Sequence, residues 1–151
     1  MNITPLLLAV TVQASMVLHL AAPPDTAFPL FDPVNESKWD PSWKPQLLGD
    51  RVAQGLVFLT DDERGRAIWL LDRYDPQTYT VRYVVTSPRV LDQIDISLRG
   101  DGAVRSIATV TYTRTALDRS VEDDVRALPS HMAKHAVHWE SAINAVLNRE
   151  R

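Results

Sequence analysis

Residues 110–147, VTYTRTALDRSVEDDVRALPSHMAKHAVHWESAINAVL, contain the change of pattern that decides the fold. Before Leu117, Val and Thr recur along Val104–Thr115, which is typical of a β-strand. After Leu117 the apolar residues recur with a period near 3.6, and Pro129-Ser130 can open a helix. One apolar stripe then runs through Met132, Ala136, Trp139, Ile143, Val146 and Leu147. The pattern predicts a long helix over about residues 130–148, and the acidic stretch 118–127 can form a first helical segment.

The residues before this stretch predict about five further strands. Alternating or continuous apolar runs bounded by Pro, Gly and Asp indicate strands at Thr11–Ala22, Leu56–Thr60, Arg66–Tyr74, Thr78–Thr86 and Val90–Arg99. Pro23-Pro24 ends the first strand, and a short helix is expected from Asp25. Consecutive hairpins place neighbouring strands side by side, and only the last helix is long enough to cover such a sheet. The predicted class is α+β, a curved antiparallel sheet of about six strands wrapped on a long C-terminal helix.

Two segments carry more specific expectations. Apolar residues on both faces of Arg66–Tyr74 indicate a strand that is covered on both sides. Residues 32–54 are rich in proline and polar residues but contain Trp39 and Trp43. Tryptophan rings in a loop normally bury against other residues, so this segment is expected to be packed rather than to act as a linker.

Size and charge limit the function classes. The chain has 151 residues, which fits a single domain over 1–151, with residues 1–12 as a loose N-terminal extension. It contains no cysteine, which excludes thiol catalysis, zinc–thiolate sites and iron–sulfur clusters. The net charge is -3, so nucleic acid is not an expected partner. No phosphate-cradling glycine loop or zinc-protease motif occurs, and no cofactor is expected.

The N-terminus leaves the compartment open between two alternatives. Pro5–Val10 is an apolar run that is too short to span a bilayer, so no integral membrane segment is expected. No Lys or Arg precedes it, which argues against a signal peptide and favours a cytoplasmic protein. The alternative is export, with residues 1–14 removed.

Several segments resemble the START and polyketide-cyclase-like (SRPBCC) superfamily, and its small bacterial members in particular. The resemblance is carried by residues 22–31, Trp39–Pro45, Gly55–Thr60, Trp69 and Tyr112–Leu117. Ser42 departs from it, because glycine is expected between the two tryptophans. The resemblance implies a helix-grip fold with a deep apolar pocket. Members include lipid and steroid carriers, aromatic-polyketide cyclases, plant hormone receptors and chaperone-ATPase activators, and the fold does not choose among them.

Three functions therefore remain open. The leading one is the binding of a small apolar ligand, by a carrier or sequestering protein. The others are a cyclase or dehydratase that uses the same pocket, and a chaperone-interacting protein that uses its surface. Pockets are mostly apolar with a few polar groups. We expect ligand contacts from Trp43, Trp69, Tyr83, Tyr112 and Trp139, with Trp39 and Trp43 shaping the cavity mouth and the tyrosine hydroxyls available to the ligand.

The titratable residues suggest two further hypotheses. His131, His135 and His138 share one helix face, beside the apolar stripe. One interpretation is a metal site, with His19 as a further ligand whose position is not predicted; Glu140 is on the wrong side of the helix to join it. The other interpretation, which is favoured, places the three histidines at the boundary of the core. The acid–base candidates are Asp72, Asp92, Asp95, Arg73, Arg82 and Arg114, which we expect to be exposed or paired.

Overall fold

Seven strands form one antiparallel sheet in the part of the chain that this computed structural model describes, residues 9–62 and 64–150. They are β1 (Thr11–Leu20), β2 (Gln46–Leu47), β3 (Val57–Asp62), β4 (Gly65–Asp75), β5 (Thr80–Thr86), β6 (Val90–Gly100) and β7 (Ser106–Ala116). Their order across the sheet is β1-β7-β6-β5-β4-β3-β2. The helices in this part of the chain are α1 (Pro24–Ala27), α2 (Glu122–Arg126) and α3 (Leu128–Arg149). The predicted α+β class, with short helices after the first strand, is confirmed.

Two details of the strand prediction are corrected. The strand count is seven rather than about six, because the two residues of β2 pair with β3 and are too few to show any periodicity. Thr78 and Tyr79 lie in the turn before β5, where Tyr79 has a φ of 56°. Tyr79 therefore does not continue the alternation of the strand, although its ring contacts Phe28.

A bulge in β4 changes which side chains face the helix. The pairing with β5 shifts between Leu71 and Arg73, so Tyr74 faces the same side as Leu71 instead of the opposite one. Tyr74 stacks on Phe28 in the interior. On the other face Ile68 is 49% exposed, so the expectation that β4 is covered on both sides is wrong.

Side chains of α3 fasten it to the free edge of β1. The Asn144 side chain accepts from the Ala21 amide at 2.8 Å and donates to the His19 carbonyl at 2.9 Å. Glu140 accepts from the His19 amide at 2.8 Å. Met132, Ile143, Val146 and Leu147 of the predicted stripe are buried. These contacts place the C-terminal half of α3 at the end of β1, and its N-terminal half therefore lies toward the end of β7 where Arg114 stands.

The segment between β1 and β3 packs against the core, as its tryptophans predict. Trp39 is 6% exposed and its indole N–H donates to the Leu30 carbonyl at 2.7 Å. Single turns of 3₁₀-helix at Phe28–Phe31 and Asn35–Lys38 precede it. At Ser42, both the backbone N–H and the hydroxyl donate to Asp40 Oδ1, so an aspartate turn replaces the expected glycine there.

The apolar run at the N-terminus lies largely outside the described residues, and β1 already begins at Thr11. Among the helices that are described, none combines the length and the apolar character that crossing a membrane requires.

Candidate ligand cavity

Two adjoining spaces lie against the sheet, and the N-terminal half of α3 borders the first of them. The first, of about 120 Å³, is bounded by β1, β7 and α3, with an apolar wall of Met16, Leu128, Met132 and Trp139. The second, of about 190 Å³, lies against the middle of the sheet, where its apolar wall comprises Ala67, Trp69, Val85, Val90 and Ile94. Arg64, Tyr112 and Arg114 line both spaces, which makes them parts of one cavity.

The position of the cavity follows from the path of α3. This helix packs along β1, at the edge of the sheet, and makes far fewer contacts with β4, β5 and β6. Apolar side chains on that part of the sheet face the space instead of a packing partner. An engineered apolar cavity of about 150 Å³ holds one benzene molecule, so each space matches about one aromatic ring.

The five aromatic residues predicted to contact ligand separate into two groups. Trp69, Tyr112 and Trp139 line the cavity. Trp43 and Tyr83 instead pack on Trp69, with ring centroids 5.2 and 5.7 Å away. Trp43 also donates its indole N–H to the Pro33 carbonyl at 2.8 Å. The structure therefore places Trp43 and Tyr83 as support for Trp69, and Trp39 packs on Trp139 at 5.1 Å rather than at the mouth.

The two tyrosine hydroxyls differ in their availability. The Tyr83 hydroxyl donates to the Phe31 carbonyl at 2.7 Å, so it is not available to a ligand as expected. A buried hydroxyl requires such a partner, which here comes from a residue 52 positions away. The Tyr112 hydroxyl makes no hydrogen bond to any described residue. Burial raises the pKa of Tyr112, so its hydroxyl stays protonated and can donate into the cavity.

Among the acid–base candidates, only Arg114 and Asp92 reach the cavity wall. Arg114 donates twice to Asp92, at 2.7 and 2.8 Å, and the two side chains are 16% and 12% exposed. The Arg114 guanidinium also lies 5.8 Å from the centre of the Tyr112 ring. The expectation that these groups are paired is therefore confirmed for this pair, and for Arg82 with Asp95 at 2.6 Å. Asp72 lies at the β4 bulge.

The three histidines of α3 lie at the boundary of the core. His131 and His135 line the first space, where His135 is exposed, whereas His138 is exposed and lines neither space. The pKa of His135 is lowered, first by burial and then by its neighbours His131 and His138, so the imidazole is neutral at pH 7. His19 lies near Glu140 and Asn144, more than two helical turns further along α3 than His131. Within residues 9–62 and 64–150, no group of three or more potential ligands is arranged to hold a metal.

Sequence reasoning missed Glu36, a carboxyl in the packed segment. It is partly buried, and its side chain makes no hydrogen bond to a described residue. Burial raises its pKa to about 8, with smaller contributions from the charges of Asp40 and Asp32. The charge of Glu36 in turn raises the pKa of both Tyr83 and Tyr112, although Glu36 itself lines neither space. The available signal was its position between Pro33 and Trp39, because a segment that buries its tryptophans buries part of its polar residues too.

Comparisons with known proteins relate the chain to others by structure alone. No family model and no curated protein matches the sequence. Among solved structures, norcoclaurine synthase from Thalictrum flavum, in complex with dopamine and hydroxybenzaldehyde, matches with a TM-score of 0.71 and 12% identity over 95% of this chain and 90% of that one. An aromatase/cyclase from Streptomyces sp. R1128 matches with a TM-score of 0.69 and 18% identity over 94% and 97% of the two chains. Major latex-like protein 151 from Panax ginseng matches with a TM-score of 0.69 and 15% identity over 90% and 97%.

These matches cover nearly the whole chain and show its fold. The protein has the helix-grip fold of the START and polyketide-cyclase-like proteins, as the sequence resemblance implied. The identities are too low to carry a ligand or an activity from one protein to another.

Proposed function

We propose that the protein binds a small, largely apolar molecule of about two rings in the cavity between the sheet and α3. The single observation that carries this proposal is the pair of adjoining spaces of about 120 and 190 Å³, lined by Trp69, Tyr112 and Trp139. Interiors are normally close-packed, so a space of this size, with both apolar and polar walls beside aromatic side chains, is typical of a ligand site.

The energetics favour occupation by an apolar group. Burial contributes about 25 cal/mol per Å² of apolar area removed from water, so a ligand that buries roughly 300 Å² gains on the order of 7 kcal/mol. Association costs several kcal/mol of this gain. The expected affinity is therefore weak, in about the millimolar range, unless polar groups of the cavity add to it.

The test is displacement of a fluorescent apolar dye by a panel of two-ring aromatic compounds, ten-carbon aliphatic compounds and sterols, with native mass spectrometry as a second readout. Ala67→Trp fills the cavity from β4, whereas Ile68→Trp adds the same ring to the exposed face of the same strand. We expect Ala67→Trp to weaken binding at least tenfold and Ile68→Trp to leave it unchanged. Equal binding by both variants, or no binding by any compound, would contradict the proposal.

A second function is an acid–base enzyme, for which Glu36, beyond the residues that line the two spaces, is the candidate carboxyl. With a pKa of about 8, this carboxyl is protonated at neutral pH, and its charge acts on Tyr112 of the cavity wall, although Glu36 itself lines neither space. A neutral carboxyl in an apolar site can donate a proton to a carbonyl oxygen, and its conjugate base can remove one from the adjacent carbon. The test is deuterium exchange next to the carbonyl of a bound aryl ketone, followed by NMR. An enzyme would accelerate the exchange, and Glu36→Gln would abolish the acceleration without loss of ketone binding.

The surface-binding alternative has less support. It predicted a filled or absent cavity with an exposed apolar patch, whereas the described residues line two adjoining spaces. The protein-partner interpretation would gain support only if no class of apolar compound in the displacement panel bound to the protein.

A further inference from the structure

We propose that the ligand is an amphipathic organic acid whose anionic group sits at the mouth of the cavity, beside Arg64, and whose apolar part lies inside. The inference deepens the proposed function and rests on it, because it names the chemical class that the same cavity selects. It comes from the distribution of charge around the cavity, which differs from that of the acidic chain as a whole.

The wall of the first space contains cationic and neutral donors and no carboxylate. Its polar members are Arg64, Arg114, His131, His135 and Tyr112. Neutral His135 and protonated Tyr112 offer N–H and O–H donors. A chain with a net charge of -3 thus presents only positive charge and donors on this wall.

The carboxylates near the second space do not cancel this preference. Asp92 is held by the two hydrogen bonds from Arg114, so the pair is neutral as a unit. Asp62 is exposed and accepts from the Arg64 backbone N–H at 2.7 Å. Asp124 is exposed on α2. Water screens exposed charges strongly, so these carboxylates repel a ligand at the mouth only weakly.

Arg64 is the cation available to a ligand. It lies in the turn between β3 and β4 and lines both spaces, and it makes no ion pair with any described residue. Its guanidinium carries the fork of donors that matches a carboxylate. Arg114, by contrast, already uses this geometry on Asp92.

The shape of the cavity sets the orientation of such a ligand. The first space has an apolar wall formed by Met16, Met132 and Trp139. Its mouth is marked by His135 and Arg64, which are exposed to solvent. Burial of an unpaired carboxylate is very costly, and a position at the mouth avoids that cost while the apolar part is desolvated. An acid with a ring system or a short alkyl chain can pair with Arg64 at the mouth and fill the apolar part of the cavity. A neutral analogue can only fill the apolar part.

The experiment compares acids with matched neutral analogues by isothermal titration at about pH 7.5. The pairs are 2-naphthoate with 2-naphthamide and decanoate with decanol. Partly solvated ion pairs are weak, so we expect the acids to bind about three- to tenfold more tightly. Arg64→Gln should remove this preference and leave the affinity for the neutral analogues unchanged.

Arg66→Gln is the matched control, because it removes the same charge from the same hairpin. Arg66 pairs with Asp61 at 3.0 Å and does not line either space. If the neutral analogues bind as tightly as the acids, or if both variants reduce the preference equally, the inference is overturned while the proposed apolar site stands. If no member of either pair binds, the proposed function fails as well.

Discussion

The pKa of Glu36 gives a prediction that depends on the interior of the protein rather than on a ligand. Glu36→Gln replaces the carboxyl by a neutral group of the same shape. The side chain makes no hydrogen bond to a described residue, so the substitution removes a titratable group without breaking a partner. Because the folded protein raises the pKa of Glu36 from 4.5 to about 8, ionisation at alkaline pH opposes folding.

The size and sign of the effect follow from linkage. A carboxyl whose pKa is higher in the folded state binds more protons there, so its cost is absent below about pH 4.5 and grows as the pH rises to 8. Each pH unit corresponds to about 1.4 kcal/mol, which gives a ceiling of about 4–5 kcal/mol at pH 8. Glu36 is partly exposed, and solvent reduces the cost. We therefore expect Glu36→Gln to stabilise the protein by about 2–3 kcal/mol at pH 8 and by less than about 1 kcal/mol at pH 5.

Urea denaturation of both proteins, followed by tryptophan fluorescence, measures this difference at the two pH values. Glu150→Gln is the matched control, because Glu150 is exposed and forms only a 3.8 Å pair with Lys38 on the surface. It should change stability by less than about 0.5 kcal/mol at either pH. A Glu36→Gln variant whose stability relative to the parent is the same at pH 5 and pH 8 would refute the reasoning.

Three other predictions concern the fold that holds the cavity. Asn144→Leu removes both hydrogen bonds to the β1 edge and should destabilise the protein by about 2–3 kcal/mol in urea denaturation; a loss below about 0.5 kcal/mol would show that α3 is held without them. A double-mutant cycle of Arg114→Gln and Asp92→Asn should give a coupling energy of about 1–3 kcal/mol, and a value near zero would contradict the bidentate pair. Trp139→Ala, which loses the contact with Trp39, should lower stability by about 2–3 kcal/mol, whereas Val137→Ala at a 76% exposed position should change it little; equal effects would exclude Trp139 from the core.

The sequence predicted those parts of the fold that depend on local pattern. The alternation along β7 and the period of α3 are properties of neighbouring residues, and both elements lie where that pattern places them. The packing of Trp39 was predictable because the cost of exposing an indole is independent of the fold. The bulge that turns Tyr74 inward was not, because it depends on how β4 pairs with β5.

The candidate site was less predictable, since its residues meet through strand register. Asp92 lies opposite Arg114 because Gly100 pairs with Ser106, which leaves residues 101–105 as the hairpin loop. The glycines at 100 and 102 indicate a turn but not its length, and each change in loop length alters the register. The hydrogen bond from Tyr83 to Phe31 and the effect of the Glu36 charge on the tyrosines likewise join distant segments.

The most direct test of the proposed ligand cavity is NMR of the protein labelled at its methionine and isoleucine methyl groups, titrated with 2-naphthoate. Met16, Met132 and Ile94 line the cavity, and Ile68 lies on the exposed face of β4. If the cavity is the binding site, the signals of Met16, Met132 and Ile94 will shift together and saturate with one dissociation constant, while the Ile68 signal stays in place. Saturable binding that moves Ile68 and leaves Met16 and Met132 unchanged would place the site elsewhere and contradict the proposal.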